Sequence, residues 1–223
     1  MGSQTRKRAS GTSTTTRRAK KGTRTIVCMD ALKWLPTQKN LSAIVTSVPE
    51  MEEVGLRLNE YEPFLRSAAQ KCFAAVRGDG YVVFLQTDRK KNGWIDKSYL
   101  ISDEARASGW KMLWHKIALR QEPGTSGLFR PTYSHMLCYS KTGKTGKLFP
   151  DVIRRGEVTY ENAFGIDAVT AVLTYLKSQG VKTVVDPFVG SGTTVAIANK
   201  IGLSAVGVDI DKAQCAKAKK MVV

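Results

Sequence analysis

Residues 182–211 read KTVVDPFVGSGTTVAIANKIGLSAVGVDID, and this stretch decides the fold. Its β-branched VV pair predicts a buried strand, and the DP pair that follows predicts a turn. Gly190 and Gly192 then stand where the backbone must bend sharply and let a ligand approach closely. The stretch therefore begins as the strand and glycine turn of a nucleotide-binding unit.

The rest of the stretch completes that unit. A helix is predicted over residues 193–201, and a second buried strand is predicted over residues 203–208. Asp209 follows 17 residues after Gly192, where a carboxylate at a strand end can hydrogen-bond a ribose diol. Only two glycines of the G-x-G-x-x-G fingerprint are present, so an adenosyl ligand is favoured over a dinucleotide. The alternative is a tight strand–helix turn that binds nothing.

The strings DPFVGSGTT and VGVDID together resemble the cofactor motifs of the amino-methyltransferases that modify cytosine N4 or adenine N6 in DNA, and of some RNA relatives. The resemblance implies that S-adenosylmethionine is the cofactor. It also implies that the cofactor contacts Asp186, Pro187, Phe188, Gly190, Ser191, Gly192, Thr193, Thr194 and Asp209.

Alternating strand and helix patterns predict a three-layer α/β domain with a mostly parallel sheet. The resemblance adds a Rossmann-like class I methyltransferase fold, with seven strands of which one is antiparallel. It also implies the circularly permuted order of the β group, because the amine-site residues precede the cofactor loop. Cofactor and substrate are then expected at the carboxyl ends of the strands.

A predicted strand over residues 41–46 leads into the sequence Ser-Val-Pro-Glu at positions 47–50. The catalytic loop of the resembled family has Asp, Asn or Ser, then Pro-Pro, then an aromatic residue. Ser47 and Pro49 match this pattern, whereas Val48 replaces the first proline and Glu50 replaces the aromatic ring. These four residues are the predicted catalytic set.

The chemistry of an exocyclic amine explains what such a loop must do. The amine is a poor nucleophile because its lone pair is delocalised into the ring, so a side chain and a backbone carbonyl accept its two protons. Ser47 and the carbonyl of Val48 are the expected acceptors. Glu50 is either a general base or amine acceptor, or an ordinary surface acid beside Glu52 and Glu53.

Asp30 follows a predicted strand over residues 25–29 and precedes a short amphipathic turn. The resemblance places an acid at this point beside the adenine of the cofactor. The alternative is that Asp30 caps the following helix, which is a frequent role of aspartate.

The chain of 223 residues has a net charge of +16, which predicts a polyanionic partner. Eight of its 35 basic residues lie in residues 1–24, which contain no acid, so 27 basic and 19 acidic residues leave a net charge of +8 on residues 25–223. We predict a disordered basic tail over residues 1–24 and a single methyltransferase domain over residues 25–223. The tail is a nuclear import signal, a phosphate-binding arm or a merely solvated segment.

No apolar run reaches the roughly 20 residues of a membrane span, so no membrane attachment is expected. The four cysteines form no C-x-x-C pair, and we predict no metal site and an intracellular protein, nuclear in a eukaryote and otherwise cytoplasmic. The connection QEPGTSGLFRP at 121–131 is too short for a target-recognition insertion, so specificity is low or comes from a protein partner. Several basic and aromatic residues in the predicted loops are suited to contact phosphates and to stack on nucleobases, or else pack in the core. They are Arg89, Lys90, Lys91, Trp94, Phe129, Arg130 and Tyr133.

The sequence thus predicts an S-adenosylmethionine-dependent methyltransferase that acts on the exocyclic amine of adenine or cytosine in DNA. One alternative is methylation of ribosomal or transfer RNA. Another is a cofactor-binding nucleic-acid or assembly protein that has lost its chemistry at Val48 and Glu50.

Overall fold

The computed structural model describes residues 22–91, 93–160 and 163–223. Eight strands form one sheet in the order β1-β8-β7-β2-β3-β5-β4-β6, and β5 alone runs antiparallel to its neighbours. The strands are β1 Arg24–Cys28, β2 Leu41–Thr46, β3 Val76–Gln86, β4 Lys111–Leu119, β5 Tyr133–Ser140, β6 Val152–Arg154, β7 Thr183–Asp186 and β8 Ser204–Asp209.

Helices cover both faces of this sheet. They are α1 Ala31–Trp34, α2 Met51–Val54, α3 Leu58–Ala75, α4 Lys97–Ala107, α5 Ile166–Ser178, α6 Thr193–Lys200 and α7 Lys212–Lys220. In β3, Val82 and Phe84 pack with α3 and α4, whereas Val83 and Leu85 pack with α5 and α6. Central strands buried on both faces read as continuous apolar runs, and the result is the predicted three-layer α/β architecture.

The predicted count of seven strands is wrong by one, because β6 adds an eighth. This strand has three residues and lies parallel to β4 at the edge of the sheet. It is too short to show an alternating pattern, and two of its side chains are exposed, so the sequence carries no signal for it.

The first strand begins at Arg24, one residue before its predicted start. The guanidinium of Arg24 donates to Asn199 Oδ1 at 2.8 Å and to the carbonyls of Ala218 and Met221 at 3.0 and 2.8 Å. These bonds tie the first strand to α6 and to the end of α7. Residues 1–21 of the predicted tail lie outside the described residues.

Four parallel strands place the predicted site residues on one edge of the sheet. Asp30 follows β1, Ser47 follows β2, and Asp186 and Asp209 end β7 and β8. This is the carboxyl edge, where ligands bind in open α/β sheets. None of the described helices is long and apolar enough to cross a membrane.

Candidate active site

A cavity of about 360 Å³ opens at the carboxyl edge, between the ends of β2, β7 and β8. Its volume lies within the roughly 300–1,000 Å³ typical of small-molecule sites. The cavity is lined both by residues predicted for the cofactor site and by residues of the predicted catalytic loop. The first are Asp186, Phe188, Gly190, Thr193, Thr194 and Asp209, and the second are Ser47 and Pro49. Pro187, Ser191 and Gly192 belong to the same loop but do not line the cavity.

Asp209 is held in place by the backbone. Its Oδ2 accepts a hydrogen bond from Gly190 N and its Oδ1 accepts one from Asp211 N, both at 2.9 Å. A carboxylate offers about four lone-pair positions, so each oxygen can still accept a hydroxyl group from a ligand. The geometry thus presents a fixed pair of acceptors suited to a ribose diol.

Gly190 is required at its position for two reasons. Its φ of +51° is a left-handed conformation, and a Cβ atom there would come within 2.7 Å of Tyr160 Oη. Tyr160 lines the same cavity, opposite the end of β7. The contact could not be predicted from the sequence, because Tyr160 and Gly190 are distant in the chain and meet only in the fold.

Asp186 is buried beneath the cavity. It accepts hydrogen bonds from Thr46 Oγ1 at 2.7 Å and from Phe188 N at 3.2 Å. Burial raises the pKa of Asp186 to about 6, although these hydrogen bonds oppose the shift. With Asp209, it gives the cavity two carboxylates beside the apolar side chains of Val189 and Ile210. That combination fits an adenosyl ligand with a cationic amino-acid end.

Asp30 takes the helix-capping position. Its Oδ1 accepts a hydrogen bond from Leu32 N at 2.8 Å, and its side chain does not line the cavity. The capping interaction is therefore the observed role, and a contact with adenine stays a prediction.

Gln86, at the end of β3, fixes the predicted catalytic loop. Its Oε1 accepts hydrogen bonds from Val48 N at 3.1 Å and from Ser47 Oγ at 3.3 Å. Its Nε2 donates to the carbonyl of Val48 at 3.0 Å. A proline at position 48 would lack the N–H that Gln86 binds. The side chain of Gln86 thus supplies the rigidity that the first proline supplies in the resembled family.

This arrangement also prepares Ser47 to accept. The hydroxyl proton of Ser47 points to Gln86, so the lone pairs of its oxygen are free for an incoming amine. The carbonyl of Val48 keeps one lone pair for a second amine proton. Ser47 lines both the cofactor cavity and a small adjoining space that Val48 and Glu50 share.

Glu50 is not an ordinary surface acid. Its Oε2 accepts a hydrogen bond from Lys97 Nζ at 2.7 Å, and the side chains of Glu50 and Lys97 are 13% and 0% exposed. Asp88 Oδ1 accepts from Lys97 N at 2.9 Å, which fixes the start of α4 and directs the lysine inward. Burial lowers the pKa of Lys97, and the Glu50 charge opposes that shift.

One aromatic side chain borders both the cofactor cavity and the catalytic loop. Phe164 lines the cofactor cavity and the small space beside Glu50. Asn162, two residues before it, lies outside the described residues. Within the described part of the chain, no cluster of three or more His, Cys, Asp or Glu side chains is arranged to hold a metal ion.

Residues 171–220, which run from α5 to α7 through the cofactor loop, match the family model for DNA methylases. This segment is similar to the DNA methylase family. It contains Asp186, Gly190, Gly192 and Asp209, so the match covers the half of the site built from β7 and β8. A search of curated proteins found no match to the chain.

Solved structures of DNA methyltransferases and of a putative DNA modification methylase share the fold over about nine-tenths of this chain. TTHA0409, a putative DNA modification methylase from Thermus thermophilus complexed with S-adenosyl-L-methionine, is 20% identical with a TM-score of 0.69, over 89% of this chain and 93% of that one. The PvuII cytosine-N4-specific DNA methyltransferase is 15% identical with a TM-score of 0.71, over 90% and 88%. The M1.HpyAVI–SAM complex is 16% identical with a TM-score of 0.65, over 88% and 98%.

The raised pKa of Asp186 predicts a pH-dependent stability difference. An aspartate whose folded pKa of about 6 exceeds its ordinary value of 3.8 favours the folded state at low pH and loses that contribution as the pH rises from about 4 to about 6. Asp186→Asn should therefore gain on the order of 2–3 kcal/mol relative to the wild type across that range. Urea unfolding of both proteins at each pH measures this, and parallel curves would refute it.

Proposed function

We propose that this protein uses S-adenosylmethionine to methylate the exocyclic amine of adenine or cytosine in DNA. The observation that carries the proposal is that Ser47 lines the same cavity as Asp186 and Asp209. A group that can accept an amine proton therefore faces the site that fits the cofactor. The DNA methylase match over residues 171–220 supports DNA as the substrate.

Bound cofactor would supply an electrophilic methyl group on a sulfonium. Asp209 would hold the ribose, because both of its oxygens are fixed at the cavity wall. Asp186 would face the cationic amino-acid end, where its negative charge is favourable. Ser47 and the carbonyl of Val48 would accept hydrogen bonds from the two amine N–H groups, which directs the nitrogen lone pair toward the methyl group, and the proton released on methylation would leave to solvent. Gln86 would keep both acceptors in place.

The fixed conformation of the catalytic loop favours a catalytic role over a loop that has lost its chemistry. A loop that no longer binds an amine would not need its acceptor groups to be held in place. Here Gln86 binds Val48, Tyr61 Oη donates to the carbonyl of Pro49 at 2.8 Å, and Lys97 binds Glu50. Every residue of the four is thus positioned by a buried or partly buried partner.

We also propose that the protein works where DNA is found, in the nucleus of a eukaryote or otherwise in the cytoplasm. The 11-residue connection at 121–131 joins β4 to β5 without a recognition domain, which favours a protein partner as the source of sequence specificity. Seven basic residues within residues 1–21 would add sequence-independent affinity for phosphates.

Cofactor binding tests the proposal at Asp209. Calorimetry should show binding of S-adenosylhomocysteine to the intact protein, and Asp209→Ala should weaken it by about 1–3 kcal/mol, because ribose hydroxyls lose their buried acceptors. Asp103→Ala is the matched control, since that carboxylate pairs with Arg66 on α3, away from the cavity. No detectable binding by the intact protein would contradict the proposed function.

A further inference from the structure

An open cleft of about 440 Å³ adjoins the catalytic loop. Glu50, Arg120, Arg130 and Arg155 line both this cleft and the small space that Ser47 shares. Phe129 and Lys91 form part of its outer wall. The cleft therefore leads from the protein surface directly to the predicted amine acceptors.

Three arginines give this cleft an excess of positive charge over the two glutamates that also line it. Arg120, Arg130 and Arg155 are each half-buried, and among the described residues none of them forms an ion pair. Burial, followed by the charges of Arg155 and Arg130, lowers the pKa of Arg120. Guanidinium groups that repel one another at a cleft are stabilised by a bound anion. The phosphates of a nucleic acid are such anions, and arginine is well suited to bind them.

Two exposed aromatic rings lie near this cleft, Phe129 in its wall and Trp94 on the adjoining segment. Phe129 is 54% exposed with Lys91 Nζ at 5.5 Å from its ring centre, and Trp94 is 55% exposed with Lys90 Nζ at 6.0 Å. A hydrogen bond from Lys90 N to the carbonyl of Phe129, at 2.8 Å, joins the two segments. Each ring thus presents a face to solvent beside a positive charge.

The type of nucleic acid follows from these rings. In an intact duplex each base is already stacked on its neighbours, so its faces are not accessible to a protein ring. Unpaired bases do offer their faces, and alternating rings and positive charges are the usual means of binding single strands. An apolar protein partner would be poorly matched to the six basic side chains in and beside the cleft, Arg89, Lys90, Lys91, Arg120, Arg130 and Arg155.

We propose that this surface binds an unpaired stretch of the strand that carries the target base. The three arginines hold its phosphates, and Phe129 and Trp94 stack on bases that flank the target. The inference rests on the proposed function and makes a single strand, rather than intact duplex, the preferred substrate.

Binding of a fluorescein-labelled 24-nucleotide DNA of mixed sequence tests this, alone and annealed to its complement. The wild type should bind the single strand more tightly at equal salt. Phe129→Ala and Trp94→Ala should each weaken single-strand binding about 5- to 150-fold, as expected for loss of one stacked base, and leave duplex binding unchanged. Phe129→Tyr should retain binding, and Leu148→Ala, at an exposed apolar residue that does not line the cleft, should have no effect.

The outcomes separate this inference from the proposed function. Equal or tighter duplex binding, or no change in either alanine variant, would overturn the single-strand surface even if methyl transfer to DNA occurs. If this surface binds another protein and the wild type binds neither the single strand nor the duplex, the inference is overturned in favour of a protein partner. Transfer of labelled methyl groups from S-adenosylmethionine to the same two DNAs, measured in parallel, tests the function independently.

Discussion

Replacing Lys97 with methionine is expected to lower the free energy of unfolding by about 3–5 kcal/mol, the cost of breaking a buried ion pair from one side. Methionine fills much of the lysine volume, so the loss comes mainly from the charge. It leaves the carboxylate of Glu50, 13% exposed, without its ammonium partner. Urea unfolding at pH 7 measures the change.

The matched control is the double variant Lys97→Met with Glu50→Gln. Removing both charges should restore most of the lost stability, because no unpaired charge then remains buried. Arg77→Met, which breaks the exposed pair with Asp79, should cost less than about 1 kcal/mol. If Lys97→Met is as mild as Arg77→Met, the buried pair does not hold the loop.

Ser47→Ala is expected to lower the rate of methyl transfer about 10²- to 10⁴-fold, the usual contribution of a positioned proton acceptor. The loss should appear in kcat, because Ser47 acts on the developing charge of the amine rather than on cofactor binding. Single-turnover transfer of labelled methyl groups, with cofactor affinity checked by calorimetry, makes the measurement. The alanine removes only the hydroxyl, so the loop backbone should remain in place.

Ser47→Asn is the informative control. The resembled family accepts asparagine at this position, and its amide oxygen can take the amine proton, so this variant should retain measurable transfer. Gln86→Leu should also lower kcat with Ser47 present, because Ser47 and Val48 lose the side chain that orients them. Equal transfer by the alanine variant and the wild type would show that Ser47 does not act on the amine.

Much of the fold could be predicted because its signals are local. The strand Leu41–Thr46 has its predicted bounds, and α6 and β8 match their predicted bounds to within one residue. The helix that ends at Ala75 runs directly into β3, however, so Gly78 and Gly80 lie within the strand. A Cβ at Gly80 would meet Val76 Cγ1 at 2.6 Å, so glycine is needed there for close packing rather than to end a helix.

The parts of the site that could not be predicted depend on contacts distant in sequence. Gln86 lies 38 residues from Val48, and its strand pattern gives no reason to single it out. Lys97 reads as a solvated residue at the start of a helix, yet Asp88 and Glu50 hold it inside. The departures at Val48 and Glu50 were visible, but their compensating partners were not. A family motif therefore located the loop, and only the fold explains how it is held.

The most direct test of the central claim is methyl transfer from S-adenosylmethionine labelled on its methyl group to single-stranded and duplex DNA by the purified wild type. Mass spectrometry of the hydrolysed DNA should then identify N6-methyladenine or N4-methylcytosine, at a level that Ser47→Ala strongly reduces. If protein that binds S-adenosylhomocysteine transfers no methyl group to either DNA, the protein does not methylate a DNA base amine.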